Sequence, residues 1–220
     1  IGKKSVTGLI DGLKGNQAKR SLIEWLGPFG VSMGMINKLI RSFANPEIAL
    51  ARSHENPYSS LSHTEVPFRV VDSIALAAKM EVNDPRRLNA VAAHIIKDEM
   101  RNGHCYVGYK SLYAAMGNFL NFPIVDALWA DPSLLAAETW GMYLRHVRDW
   151  ELAVSKWLRA CVFEESIIAD DADETTMISL AFNECGVVPS DKQREAIEMA
   201  AEHRAVVITG GPGTGKTTIV

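Results

Sequence analysis

The chain has 220 residues, of which 47% are hydrophobic and 22% charged, and its formal net charge is −3. This composition is that of a soluble globular protein, and no apolar run approaches the ~18–20 residues that a membrane-spanning helix needs, which predicts a cytoplasmic protein with no membrane partner. The cysteines lie far apart and predict reduced thiols with no disulfide framework or metal site; they are Cys105, Cys161 and Cys185.

Charge is distributed unevenly along the chain. Residues 1–110 carry 15 Lys and Arg against 10 Asp and Glu, whereas residues 111–220 carry 8 against 16. Much of the second imbalance comes from the acidic run EESIIADDADE at 164–174. A mildly basic N-terminal half is compatible with a polyanionic partner, although ordinary solvated surfaces produce similar imbalances.

The first elements read as short helices separated by turns. Asn16 is a candidate N-cap for a helix that stops at Gly27-Pro28. A second helix restarts at Ser32, carries apolar residues at helical spacing and closes at Asn45-Pro46.

Three further elements follow before residue 104. The stretch NPYSSL, residues 56–61, predicts a turn or a single helical turn. A helix begins near Pro67. The clearest helix is capped by Asp84, has Pro85 in its first turn and ends at Gly103.

The segment 111–158 keeps a helical pattern and predicts a long amphipathic stretch. A tryptophan stripe at this spacing is more often core than binding site; the stripe consists of Trp140, Tyr143, Leu144, Val147, Trp150, Val154 and Trp157. Residues 160–168, ACVFEESII, alternate enough to predict a strand, and a further helix is expected over 175–185.

The C-terminal segment predicts a helix, a strand and a loop in succession. Ser190 and Gln193 have the S-x-x-Q spacing of a capping box, which starts a helix. Residues 205–209, AVVIT, predict a short buried strand that leads directly into a glycine-rich loop.

That loop, GGPGTGKT, matches the phosphate-binding pattern G-x-x-x-x-G-K-[ST] in full and stands between a strand pattern and a helix start. Glycines let successive backbone N–H groups face the phosphates, Lys216 would reach the β- and γ-phosphates, and the Thr217 hydroxyl would bind Mg²⁺. The alternative, an unrelated glycine-rich turn, does not account for this context. The predicted ATP-binding residues are Gly210, Gly211, Pro212, Gly213, Thr214, Gly215, Lys216, Thr217, Thr218 and Gln193.

Gln193 has two interpretations. As the fourth residue of the S-x-x-Q pattern it caps the helix, and the pattern alone favours that role. Its side-chain amide is also suited to pair with the edge of an adenine ring, because an amide offers both a donor and an acceptor.

The stretch PSDKQREAIEMAAEHRAVVITGGPGTGKTT resembles the opening of the motor core in superfamily one DNA helicases of the RecD-like group. Upstream, NPYSSL, PFRVVDSIALAAKMEVNDPRRLNAV and GHCYV follow the order and approximate spacing of the N-terminal region of stand-alone RecD-like helicases. The resemblance covers roughly residues 30–110 and 186–220. In that group a glutamine ahead of the loop contacts adenine, which maps onto Gln193.

The resemblance implies a mainly α-helical fold. A helical bundle with helix–hairpin–helix units would be followed by the first strand–loop–helix of a truncated P-loop α/β motor. The implied domains are a helical accessory domain over 1–110, a helical connecting region over 111–185, and the start of the motor over 186–220.

The implied function is the N-terminal part of an ATP-dependent DNA helicase, 5′→3′ in polarity, acting in DNA repair or recombination. It would use ATP and Mg²⁺ and act on single-stranded or forked DNA. Because the chain shows none of the later motor motifs, we expect these 220 residues to have no ATPase activity alone, and we expect residues 210–220 to pack unlike a working loop.

One position departs from the resemblance. The second hairpin of the group carries a glycine-containing turn before its Phe, and EVPF at 65–68 replaces it here. Since Val66-Pro67 removes a backbone donor, this hairpin is expected to serve a structural or partner-docking role at least as readily as a phosphate contact. The alternative function is therefore a non-catalytic helical module that docks DNA or a protein. A small P-loop kinase is disfavoured because such enzymes usually carry the loop near the N-terminus.

Overall fold

The structure is a computed structural model that describes residues 3–126, 129–163, 183–184, 186 and 188–218. It divides into two compact units, Ile1–Arg148 and Asp149–Val220. The described residues are mainly helical, as the sequence predicts.

The first unit is built from helices joined by short turns. Their bounds are α1 Lys3–Leu26, α2 Met33–Phe43, α3 Pro46–Glu55, α4 Pro57–Leu61, α5 Phe68–Ala77, α6 Pro85–Arg101 and α7 Tyr109–Leu120. A 3-10 turn, Gly27–Phe29, separates α1 from α2. Helix α8, Arg145–Phe163, begins in this unit and contains the boundary to the second.

A small antiparallel sheet completes the first unit. Its strands are β1 Tyr106–Val107, β2 Leu135–Glu138 and β3 Gly141–Leu144, in the order β1-β3-β2. In register, Tyr106 lies opposite Tyr143 and Leu135 opposite Leu144.

Two apolar clusters hold the first unit together. The hairpin core joins α1 to α5, and its members are Leu22, Leu26, Val31, Ile36, Leu39, Ala49, Tyr58, Leu61, Val71, Ile74 and Ala75. The sheet core joins α6, α7 and the sheet, and its members are Leu88, Val91, Ala92, Ala93, Ile96, Val107, Leu112, Met116, Leu120, Leu135, Met142, Leu144 and Val147. Phe68 packs against both.

Local signals predicted most helix starts correctly. The Ser32 side chain accepts a hydrogen bond from the backbone of Met35, and Asp84 caps α6 in the same way. Residues 56–61 form the expected single turn, capped by Asn56. Helix α3 was not anticipated, although Asn45 caps it and Pro46 occupies its first position.

The predicted start of the first helix at Asn16 is wrong. Helix α1 begins at Lys3 and runs through Asn16, because no proline interrupts residues 3–26. The helix passes close to α3 at Gly15, where an added Cβ would lie 3.9 Å from a Pro46 ring carbon.

The prediction of a continuous helical pattern over 111–158 is also wrong. Trp140, Tyr143 and Leu144 lie on the β2–β3 hairpin. The tryptophans of the stripe are not core either, since Trp140, Trp150 and Trp157 are 52%, 64% and 57% exposed.

In the second unit, α8 ends at Phe163 and α9 spans Asp191–Glu202. Residues 160–163 are helical rather than extended, while the rest of the strand expected over 160–168 lies outside the described residues. Most of the helix expected over 175–185 also lies outside them. Residues 205–209 form neither a strand nor a buried segment, because a strand needs a hydrogen-bonded neighbour and the structure describes none beside them.

None of the described helices is long and apolar enough to cross a membrane. The cysteines within the described residues, Cys105 and Cys161, are free thiols.

Candidate functional site

Helix α9 begins with the predicted capping box. The Gln193 backbone N–H donates to the Ser190 hydroxyl at 3.4 Å, and the Ser190 backbone N–H donates to Gln193 Oε1 at 2.9 Å. Two backbone donors at the helix start are thereby satisfied reciprocally. The capping box thereby fixes the position of the Gln193 backbone and of its side-chain Oε1.

The glycine-rich loop needs its glycines for backbone conformation and for space. Gly213 and Gly215 have φ of 77° and 74°, the left-handed region that residues with a Cβ adopt at a cost. At Gly210 an added Cβ would lie 2.9 Å from the Thr214 hydroxyl oxygen. The loop then continues into a 3-10 turn, Lys216–Thr218.

The Lys216 ammonium closes the loop. Its Nζ donates to the carbonyl oxygens of Gly210 and Gly211, both at 2.7 Å, and lies 3.4 Å from the Thr214 hydroxyl. The Thr214 hydroxyl donates in turn to the Gly211 carbonyl at 2.9 Å. A positive charge is thus held against a turn of small residues by their oxygens, which is a site suited to a phosphate group.

Gln193 also contacts the loop. Its Nε2 donates to the Thr214 carbonyl at 3.3 Å. An amide side chain has two donor hydrogens and two acceptor lone pairs, and the cap and this contact use one of each. One donor and one acceptor remain, so the capping role and the adenine-contact role are compatible in hydrogen-bonding capacity.

The structure brings together only part of the predicted ATP-binding set. Gly210, Gly211, Thr214, Lys216 and Gln193 contact one another. The other members of the set lie in the same loop or in the turn that follows it, and the side chains of Pro212 and Thr217 are exposed. A Mg²⁺ ion at the Thr217 hydroxyl would take its other ligands from phosphate and water, as Mg²⁺ usually does.

The first hairpin, residues 27–32, joins α1 to α2. Gly30 has a φ of 78°, and its N–H donates to the Gly27 carbonyl at 2.9 Å. Val31 anchors the turn in the hairpin core. Met33 and Gly34 are exposed and lie in the first turn of α2, where backbone N–H groups have no carbonyl partner within the helix. This hairpin therefore presents backbone donors to solvent.

The second hairpin, residues 62–67, joins α4 to α5 without a glycine. Glu65 occupies the left-handed region with a φ of 61°, and its carboxylate pairs with Lys38 of α2. This ion pair lowers the pKa of Glu65. Val66 packs against the hairpin core, and Pro67 is the N-cap residue of α5. Glu65 therefore adopts the left-handed conformation that glycine favours, although this turn contains no glycine.

A buried polar network, which the sequence did not reveal, ties the second hairpin to α6. Arg87 donates from Nε and Nη2 to the two carboxylate oxygens of Asp72, each at 2.9 Å, and from Nη1 to the Val82 carbonyl at 2.8 Å. The Tyr58 hydroxyl donates to the same carboxylate at 2.6 Å. Burial and the Asp72 carboxylate raise the pKa of Tyr58. Helices α4, α5 and α6 are therefore fixed by one fully bonded network.

Beside this network, half-buried aromatic rings contact one another and an arginine. The rings of Phe68 and His94 stack at 4.2 Å, and the Arg69 guanidinium lies 5.3 Å from the centre of the Phe119 ring. Burial lowers the pKa of His94. The Asp98 carboxylate opposes this lowering, and the neighbouring cations add to it.

Comparison with known proteins identifies relatives of both parts. A family model described as the helix–hairpin–helix domain of the ATP-dependent RecD2 DNA helicase matches residues 15–106, and a model of an AAA domain matches residues 193–220. An ATP-dependent RecD2 DNA helicase of Deinococcus radiodurans is 24% identical over an alignment 219 positions long, and the match covers 91% of this chain and 30% of that protein. The chain thus spans about a third of the length of this relative. These matches confirm the resemblance predicted from the sequence.

Proposed function

We propose that this chain supplies the DNA-contacting and nucleotide-contacting N-terminal part of an ATP-dependent DNA helicase, because residues 15–106 match the model of the RecD2 helix–hairpin–helix domain and the chain is similar to a RecD2 helicase. The proposed enzyme moves 5′→3′ on single-stranded or forked DNA and acts in repair or recombination. The observation that carries the proposal is the combination on one chain of a glycine-bearing first hairpin and a phosphate-binding loop joined to Gln193.

The nucleotide half of the proposal rests on the contacts of the loop. When the nucleotide binds, the Lys216 ammonium gives up its hydrogen bonds to the loop carbonyls and donates to the β- and γ-phosphates instead. Gly210 and Gly211 already hold the ammonium in position for this. Thr217 supplies the protein oxygen for Mg²⁺. The remaining donor and acceptor of Gln193 face the adenine edge, while the other pair keeps α9 and the loop together.

The DNA half rests on the first hairpin. Backbone N–H groups of Met33 and Gly34, reinforced by the positive end of α2, contact a backbone phosphate. Such contacts position the duplex or strand without reading its sequence. The second hairpin contributes structure instead, because Val66 packs inward and Pro67 has no N–H to donate.

The nucleotide half is tested by titrating the chain with a fluorescent ATP analogue and Mg²⁺. Lys216→Ala removes the ammonium and is expected to weaken binding about tenfold or more, the value of one strong charge-assisted contact. Lys192→Ala removes an exposed lysine of α9 and serves as the matched control. Equal affinities of the Lys216 variant and the unmodified chain would show that this loop does not hold phosphate.

The DNA half is tested with a charge placed at the first hairpin. Met33→Glu puts a carboxylate in the first turn of α2, which suits the helix dipole but repels a phosphate. We expect several-fold weaker binding to a fluorescent duplex at low salt with no loss of thermal stability. Ile48→Glu makes the same change in the first turn of α3, at a side chain 48% exposed against 45% for Met33, and should bind like the unmodified chain.

The second candidate function is a non-catalytic docking module for a protein. The glycine-free second hairpin favours it, since this turn presents Glu65 rather than backbone donors. Absent DNA binding by the unmodified chain at low salt would support this candidate.

A further inference from the structure

An aromatic cluster on the small sheet has no part in the nucleotide loop or the hairpins. Tyr106 of β1 lies opposite Tyr143 of β3, and their rings stack with centres 5.2 Å apart and planes 28° from parallel. Gly141 permits this approach, because an added Cβ would collide with the Val107 carbonyl and lie 3.0 Å from the Tyr106 ring. The Tyr106 ring therefore covers Gly141.

Two rings of this cluster are exposed and one is buried. Trp140 is 52% and Tyr106 42% exposed, whereas Tyr143 is 4% exposed. The indole N–H of Trp140 donates to the Tyr143 hydroxyl at 3.3 Å. Since the buried ring contacts both exposed rings, the exposed pair is held in place before any partner binds, which lowers the entropic cost of binding.

The chain segments that contain the cluster carry a net positive charge, although Arg101 is paired with Asp98 and Arg148 with Glu138. Residues 101–110 and 139–148, which contain β1 and β3 with their flanks, include four Lys and Arg and no Asp or Glu. The Arg148 guanidinium lies 5.5 Å from the centre of the Tyr143 ring. The adjoining carboxylate of Glu138 is neutralised by Arg148, with Nε 2.6 Å from Oε1.

We propose that Trp140 and Tyr106 stack on unpaired bases of single-stranded DNA. Exposed aromatic rings in a positively charged setting fit a polyanion whose bases present their faces, as unpaired strands do and duplexes do not. A protein partner is less well matched, because protein interfaces are depleted of charge at their centres. The inference rests on the proposed function for DNA as the partner, but it assigns a surface outside the helix–hairpin–helix turns.

The test measures binding of the 220-residue chain to a fluorescein-labelled dT15 oligonucleotide at low salt. Trp140→Ala is expected to weaken binding roughly 5- to 150-fold, the value of one base–aromatic stack. Trp140→Phe should recover most of the affinity because it keeps an aromatic face. Trp157→Ala, which removes a side chain of similar exposure on α8, is the matched control and should leave the affinity unchanged.

Two further measurements separate stacking from a structural effect. Stacked thymine should quench part of the tryptophan fluorescence in the unmodified chain and in the Trp157 variant, but less in the Trp140 variant. An abasic oligonucleotide of equal length should bind the Trp140 variant and the unmodified chain equally.

The outcomes also separate this inference from the proposed function. If the chain binds duplex through the first hairpin but Trp140→Ala leaves dT15 affinity unchanged, base stacking is wrong and the surface belongs to another class of partner. If the chain binds neither dT15 nor duplex, both the stacking inference and the DNA half of the proposed function are wrong.

Discussion

At the scale of single residues, the buried Tyr58–Asp72–Arg87 network depends on the identity of all three side chains. A buried charge is tolerated only when it is paired and hydrogen-bonded, and the Arg87–Asp72 pair is bidentate. Breaking the pair from one side leaves the other charge buried and alone. The network should therefore respond very differently to removal of a charge and removal of a hydroxyl.

We expect Asp72→Ala to lower the free energy of unfolding by about 3–5 kcal/mol, because Arg87 remains buried without its partner. Tyr58→Phe should cost less, about 1.5–3 kcal/mol at most, since it removes one hydrogen bond to a charged group. Urea unfolding followed by circular dichroism measures both. Glu55→Ala breaks an exposed ion pair with Arg52 and is the control; a loss in this control as large as that of Asp72→Ala would contradict the argument.

A pH dependence follows from His94. Its pKa is lowered in the folded chain mainly by burial, so below the ordinary histidine pKa of about 6.5 the unfolded chain takes up a proton that the folded chain does not. The stability that depends on neutral His94 is present above that pKa and is lost as pH falls towards the folded pKa. The groups around it are Asp98, which opposes the shift, and Arg101, Lys97 and Arg69, which reinforce it.

We expect His94→Phe, which keeps a ring against Phe68, to gain stability relative to the unmodified chain when the pH is lowered from 8 to 5. The measurement is the urea midpoint at both pH values. His104→Gln, at a side chain 64% exposed, is the control. The same pH dependence in the unmodified chain and the His94 variant would show that this residue does not contribute to acid destabilisation.

At the scale of elements, the first hairpin depends on one backbone conformation. Gly30→Ala places a Cβ in the left-handed region at φ 78° with no atom within 4 Å, so its whole cost is conformational, about 1–2 kcal/mol. At Gly27 an added Cβ also meets no atom within 4 Å, and the backbone φ there is not positive. Gly27→Ala should therefore lower the stability only slightly. Thermal unfolding of the two variants tests this; equal melting temperatures would show that the turn relaxes without penalty.

Most elements with local signals were predictable, helix α3 being the exception, and the sheet formed by distant pairing was not. Ser32 and Asp84 announce their helices because a cap and its helix are adjacent in the chain. The sheet was missed because its strands have two to four residues, too few to show a period of two, and because β1 pairs with a strand more than 30 residues away.

The same distinction applies to the candidate site. The loop residues were predicted because their chemistry lies within eight consecutive positions. The contact between Gln193 and Thr214 spans 21 residues, so sequence could offer Gln193 only as a candidate. The buried network was not predictable, since Asp72 lies 14 and 15 residues from Tyr58 and Arg87 in no recognised pattern.

At the scale of the whole molecule, the two proposed ligands belong to different compact units. The hairpins lie in Ile1–Arg148 and the loop in Asp149–Val220. The charge of the chain follows a similar asymmetry, with an excess of Lys and Arg over residues 1–110 and an excess of Asp and Glu over 111–220. A polyanion is thus attracted by the part of the chain that carries the hairpins.

We expect the two binding activities to be separable and hydrolysis to be absent. Lys216→Ala should weaken nucleotide binding and leave duplex affinity unchanged, while Met33→Glu should do the reverse, because each substitution alters contacts in its own unit. Hydrolysis further needs an acidic Mg²⁺ ligand, a group that orients water and an arginine at the γ-phosphate, none of which the loop supplies. Phosphate release should therefore stay at background with ATP, Mg²⁺ and single-stranded DNA. DNA-stimulated ATP turnover that Lys216→Ala abolishes would overturn this expectation, because it would place a complete hydrolytic site within these 220 residues.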